Sequence, residues 1–181
     1  MTAPLWRVWI AEEAAATIVL AAAAAHPDET GGVLVGVHTH GSRPWVTHAV
    51  ELRSPKATGT FYEVPPGARR KAIARLRRRD PRLGYLGEWH VHPADAAPSP
   101  VDTETIARLA ADPDAGCHRP LLLVARRTST GYVLDARQLS HRLLRDLQII
   151  ATGPLEAADA APSAKPKSRQ RAERRLYLGT R

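Results

Sequence analysis

The chain has 181 residues, 44% of them hydrophobic, with a formal net charge of +8 and one cysteine. That length fits one domain with a real core plus an appendage, and the lone Cys117 excludes an internal disulfide and suggests a reducing compartment. The longest apolar run, Ala14 to Ala25, falls short of the ~20 residues that a spanning helix needs. Glu12 and Glu13 precede it where a secretory signal would carry positive charge, so the expectation is a cytoplasmic protein without a membrane segment.

In chain order, Leu5 to Ile10 reads as a short strand and Ala11 to Ala25 as a helix covering it. Val33 to Val37 and Trp45 to Leu52 read as neighbouring strands or a hairpin. Pro66 to Arg79 is a predicted helix with the apolar stripe Ala72, Ile73 and Leu76, stopped by Asp80-Pro81. Tyr85 to Val91 is a strand, and Ser99 opens a helix that runs to Ala111. Pro120 to Arg126 and Tyr132 to Leu139 are two further strands around Ser129-Thr130-Gly131. The period of His141 to Ile150 fits a helix or a strand, and His141 reads as a surface or packing residue. There is no internal repeat. Strands interleaved with helices predict an α/β domain.

The most informative stretch is Gly87-Glu88-Trp89-His90-Val91-His92-Pro93, followed by Pro98-Ser99-Pro100-Val101-Asp102. Alternate strand residues face one side, so His90 and His92 point together, and Asp102 can complete a set of three. Two imidazoles and one carboxylate leave a fourth tetrahedral position open for water, the arrangement of a catalytic zinc. Each half also has a plain reading. Ser99-Pro100-Val101-Asp102 has the form of an ordinary helix start, and a second pair, His38-Thr39-His40, runs straight into Gly41-Ser42 with no carboxylate at useful range. His38 and His40 are therefore taken as strand-end or turn residues. The first cluster is distinguished by conjunction: strand histidines, a proline stop, a short loop, then Ser and Asp opening a helix.

A hydrolytic site also needs a base. Glu29, in the loop His26-Pro27-Asp28-Glu29-Thr30-Gly31-Gly32, is preferred. Glu88 is the rival, since it shares parity with the histidines; it would otherwise orient an imidazole or face solvent at a sheet edge. Cys117-His118 suggests a thiol nucleophile only superficially, because adjacency in sequence says little about the reacting atoms.

These residues resemble the JAB/MPN metalloprotease family, which carries the JAMM motif. The likeness rests on Glu29 in Glu-Thr-Gly-Gly-Val-Leu-Val-Gly and on His90-Val91-His92-Pro93 through Ser99 and Asp102. Tyr85-Leu86-Gly87-Glu88-Trp89-His90 looks most like small bacterial members found in integrative elements and in anti-phage operons with ubiquitin-like conjugation enzymes. The resemblance spans residues 5 to 150. It implies a single JAB/MPN-like domain over residues 1–153, a mixed curved β-sheet flanked by helices. It also implies Zn²⁺ on His90, His92 and Asp102, Glu29 as general base, and Ser99 as oxyanion donor. The implied activity is a zinc peptidase or isopeptidase acting after the C-terminus of a ubiquitin-like protein, by deconjugation or trimming. The alternative is a non-catalytic scaffold of the same fold. One departure stands out: the family usually has seven residues between the second His and the Ser, and Pro93 to Pro98 supplies six. Ser99 is the residue whose placement this bears on.

Residues 154–181 read as a Pro/Ala linker and a basic flexible tail, with seven basic residues against one acid, Glu173, from Ala160 onward. Leu176-Tyr177-Leu178 gives the tail an apolar handle. It is either solubilising or a docking arm for an acidic partner or nucleic acid. A second basic run, Arg69 to Arg79, reads as a solvated helix face or as a surface that steers an acidic partner. No aromatics interleave these arginines, which argues against nucleic acid as a ligand. Nothing in the sequence fixes an oligomeric state.

Overall fold

The computed structural model describes residues 6–39, 43–140 and 143–153. Its elements are β1 (Arg7–Ala11), α1 (Glu12–Ala25), β2 (Gly31–His38), β3 (Pro44–Glu51), α2 (Ala68–Arg77), β4 (Gly84–His92) and α3 (Pro100–Ala111). A short 3₁₀ turn over Pro113–Ala115 follows, then β5 (Leu121–Thr128), β6 (Gly131–Ser140) and β7 (Leu143–Thr152). The strands are ordered β1-β3-β2-β4-β5-β6-β7 and close on themselves. The sheet is mixed, as expected: β1 runs parallel to β3 and β7, β4 runs parallel to β5, and the other pairs are antiparallel.

Closure is the main difference from the expected curved sheet. It comes from the segment whose period was ambiguous, because β7 is a strand and pairs with β1 from Arg7↔Gln148 to Ala11↔Thr152. Helix ends and strand ends sit within two residues of the sequence reading; in β2 the two glycines carry the pairing back to Gly31. His40, His141 and the whole basic tail lie outside the described residues.

Alternation along the strands sorts the core into two sides. Leu34, Leu86, Trp89, Val91, Leu121 and Leu123 pack with Ile18 and Ala22 of α1. On the other side, Val33, Val35 and Val37 pack with Leu76 of α2, while Leu122 and Val124 pack with Ile106 of α3. β4 has Trp89 and Val91 buried on the α1 side, which leaves Glu88, His90 and His92 on the side of α2 and α3.

Gly87 makes that arrangement possible. The β2–β4 register slips there, with Leu34 opposite Gly87 but Val35 opposite Tyr85. The extra residue puts Leu86 and Trp89 in one core and turns Tyr85 toward Glu88. Gly87 has φ +152°, and a Cβ would lie 2.0 Å from the Leu121 carbonyl oxygen of β5. Both the dihedral and the backbone clash penalise any side chain. Gly87→Ala is therefore expected to lower unfolding free energy by more than about 3 kcal/mol, read as a drop in urea midpoint. A midpoint near that of the parent would refute the account of the bulge.

Candidate metal centre

Two elements bring the predicted ligands together. β4 supplies His90 and His92 with their neighbours locked in the core, and the first turn of α3 supplies Asp102. Ser99 caps that helix: its Oγ accepts from the Asp102 N–H at 3.3 Å, and its own N–H donates to Asp102 Oδ2 at 2.6 Å. Ser99 Oγ also donates to Oδ2 at 2.8 Å. Ser99 thus occupies one carboxylate oxygen and leaves Oδ1 directed at His90. The helix-start reading and the ligand reading are the same geometry seen twice. Despite the six-residue loop, Asp102 reaches the histidines.

The donor atoms are spaced as a small cation would space them. His90 Nε2 and His92 Nε2 are 3.0 Å apart. Asp102 Oδ1 lies 3.2 Å from His90 Nε2, and Oδ2 lies 3.5 Å from His92 Nε2. A tetrahedron with bonds of about 2.05 Å has edges of about 3.3 Å, so the three groups fit a zinc-sized ion. They also present excess acceptor capacity to one point. His92 donates from Nδ1 to the Ala96 carbonyl at 2.7 Å, which leaves Nε2 as its lone-pair nitrogen when the ring is neutral. Burial works against the Asp102 carboxylate, but the imidazoles of His90 and His92 and the Ser99 N–H outweigh it, and its pKa falls far below the usual carboxylate range. The hydrogen bond to Asp102 raises the pKa of His92 against the effect of burial. Among the described residues, His90, His92 and Asp102 form a group able to hold a metal ion.

Glu29 joins them from the start of β2. The Val91 N–H donates to the Thr30 carbonyl at 2.9 Å, which lays the Glu29 loop alongside the histidine strand. Glu29 N–H donates to Thr58 O at 2.8 Å, and Thr30 Oγ1 donates to Glu51 at 2.9 Å. Gly31 admits this approach, since a Cβ there would lie 2.4 Å from both the Trp89 carbonyl oxygen and the Tyr62 ring. Half-buried Glu29 lines the same cavity as His90, His92, Ser99 and Asp102. Burial raises its pKa, the two imidazoles oppose that rise, and Asp102 adds to it.

Glu88 does not face solvent at a sheet edge, and its polar contacts among the described residues run to Tyr85 and Arg69, away from the imidazoles. β4 lies between β2 and β5, so there is no sheet edge for it to face. Its side chain is 13% exposed, and it accepts from the Tyr85 hydroxyl at 3.4 Å and sits 4.0 Å from Arg69 Nη1. Burial pushes its pKa up to about 7 against the pull of Arg69 and Tyr85. Arg69, the first arginine of α2, also donates to Asp112 at the end of α3 at 3.0 Å and lies over the Tyr85 ring. This polar bridge was not legible, because it depends on how α2 meets α3. The Ala96 carbonyl was missed for a similar reason: no side chain announces it.

The remaining candidates separate. Cys117 is buried, with its thiol pKa raised by burial, whereas His118 is exposed, so the two do not form a dyad. His38 ends β2 as a strand-end residue. Phe61 and Tyr62, ahead of α2, and Asp112, Asp114 and Gly116, after α3, line the cavity as well.

Comparison with known proteins agrees with this geometry. Residues 11–140 match the family model for prokaryotic homologs of the JAB domain. A CD-NTase/cGAS isopeptidase of Enterobacter hormaechei subsp. hoffmannii (strain UCI 50) is 31% identical over 114 residues, covering 60% of this chain and 62% of that protein. A CD-NTase/cGAS isopeptidase of Pseudomonas aeruginosa (strain BWHPSA011 / Pa011) is 34% identical over 86 residues, covering 46% of this chain and 54% of the relative. The chain therefore spans somewhat over half the length of these curated relatives. A solution structure of a protein from Desulfitobacterium hafniense superimposes with a TM-score of 0.66 at 22% identity, over 82% of this chain and 95% of that one, which is a likeness of fold. With the family model covering most of the chain, this protein belongs to the prokaryotic JAB-domain family.

Proposed function

We propose that the protein is a zinc-dependent isopeptidase that hydrolyses the amide bond following the C-terminus of a ubiquitin-like protein. The carrying observation is the convergence of His90, His92 and Asp102 in the cavity that Glu29 lines. The likeness to two CD-NTase/cGAS isopeptidases supports the reaction class. His90 Nε2, His92 Nε2 and an Asp102 oxygen would hold the zinc. A bound zinc supplies Lewis acidity, bringing the pKa of water down to about 7 and polarising a carbonyl.

The chain's own residues do the rest. Glu29 takes a proton from the attacking water and returns it to the departing amine; the rise in its pKa caused by burial makes it a better proton carrier near neutrality. Ser99 donates its hydroxyl proton to the oxyanion, which requires that proton to leave Asp102 Oδ2. The decisive test is purification with and without a chelator, followed by incubation with an isopeptide-linked ubiquitin-like conjugate. About one zinc per chain and chelator-sensitive cleavage are expected. A protein that stays metal-free in excess zinc and cleaves nothing, yet keeps full stability, would be a scaffold.

The substrate is also taken to carry an acidic surface. Arg70, Ile73, Ala74 and Arg77 form one face of α2 along the cavity wall, at spacings of three and four residues. Raising ionic strength from about 0.1 to 1 M shortens the Debye length from ~10 to ~3 Å, so KM should rise steeply with kcat little changed. A salt-independent KM would remove the acidic partner from the reading.

A further inference from the structure

We propose that Arg126 is a positioning residue for His92, acting through the loop that joins β4 to α3. This deepens the metal reading above and rests on it. Arg126 stands on β5 in register with His92 on the adjoining parallel strand. Its Nε donates to Asp135 Oδ2 at 2.6 Å, and its Nη1 donates to Asp95 Oδ1. Asp135 lies on β6, opposite Val124, and so fixes the guanidinium from the barrel side. Asp95 belongs to the loop between His92 and Ser99.

The carbonyl oxygen of the next residue in that loop, Ala96, accepts a hydrogen bond from His92 Nδ1–H at 2.7 Å. The chain of contacts therefore runs from Asp135 to Arg126, to Asp95, to the neighbouring Ala96 carbonyl and to the imidazole. Its outcome is chemical: with the proton held at Nδ1, Nε2 presents its lone pair toward His90 and Asp102. A second internal bond, Ala96 N–H to Ala94 O at 2.9 Å, tightens the turn, and Pro93 and Pro98 restrict its two ends. A six-residue loop pinned at both ends by proline has little slack, and the Arg126 side chain reaches across to anchor it at Asp95.

Stability does not explain this arrangement. Asp95 is 59% exposed and Arg126 27% exposed, and ion pairs so open contribute little to folding. The planar guanidinium, held by two carboxylates at once, contributes direction, which a lysine would not reproduce.

Three variants of the full chain test this: Arg126→Gln, Arg126→Lys and Asp95→Ala. Zinc affinity is measured by competition with a chromophoric chelator. Arg126→Gln and Asp95→Ala should each weaken zinc by roughly 10-fold, with the double variant no worse than either and Arg126→Lys in between. Thermal midpoints of the metal-free proteins should move by no more than about 2 °C. Ring nitrogen NMR of the metal-free protein at about pH 8 gives a separate readout: one Nδ1–H tautomer of His92 in the parent, and a mixture in Arg126→Gln.

Unchanged zinc affinity with an unchanged tautomer would overturn the proposal. So would a fall in midpoint that accounts for the affinity loss, since that would make Arg126 an ordinary stabilising residue. A parent protein that takes up no zinc would instead sink the metal reading, and the tautomer comparison would still decide the role of Arg126.

Discussion

Glu29→Gln is expected to retain about one zinc per chain and to lose roughly 10²- to 10⁴-fold in cleavage rate, the span associated with a single general acid–base. Glutamine keeps the size of the side chain and removes only its ability to carry a proton. Glu29 is not one of the three clustered donors, so metal uptake should be untouched. The loop should also stay in place, because it is held by backbone bonds from Glu29 N–H to Thr58 and from Val91 to Thr30. Single-turnover rates on a conjugate, with zinc content measured on the same sample, separate the two quantities. Cleavage at the parent rate would strip Glu29 of its role.

Asp102→Ala should have the largest effect on the metal. Zinc held by four protein ligands is worth about 10–16 kcal/mol, so one ligand accounts for roughly 3–4 kcal/mol, or about 10²- to 10³-fold in affinity. Asp102 also closes the capping box of α3, so part of any change is a helix effect. Ser99→Ala supplies the control: it loses the side-chain cap, which costs about 1 kcal/mol, but no ligand. Asp102→Ala should therefore lose both stability and zinc, whereas Ser99→Ala should lose stability and turnover while still binding zinc. Equal zinc affinity in the two variants would mean that the carboxylate is not a ligand.

The parts of the site legible in the sequence are those governed by local periodicity. Alternation on β4 put His90 and His92 together, and the Ser99-Pro100-Val101-Asp102 helix start placed an acid in the first turn of α3. Glu29 was preferred from its loop and from family resemblance, and a long-range pairing, Thr30 against Val91, is what brings it near. The partners of Glu88 were not legible because strand parity gives a side and not its neighbours; α2 and the bulge at Gly87 supply Arg69 and Tyr85. Barrel closure was hidden for the same reason. The residues of β7 alternate weakly, and it is their pairing with β6 and β1 that distinguishes them from a helix.

The interior position of β4, flanked by strands on both sides, gives the site two halves of unequal durability. Amides of Trp89 and Val91 should be among the last to exchange with deuterium, because releasing them means unzipping the barrel. The 93–98 loop and the stretch around Thr58 can open without that cost. Gentle warming should thus silence turnover and loosen the metal only by the modest factor expected when Ala96 no longer holds His92, and the lost activity should return on cooling.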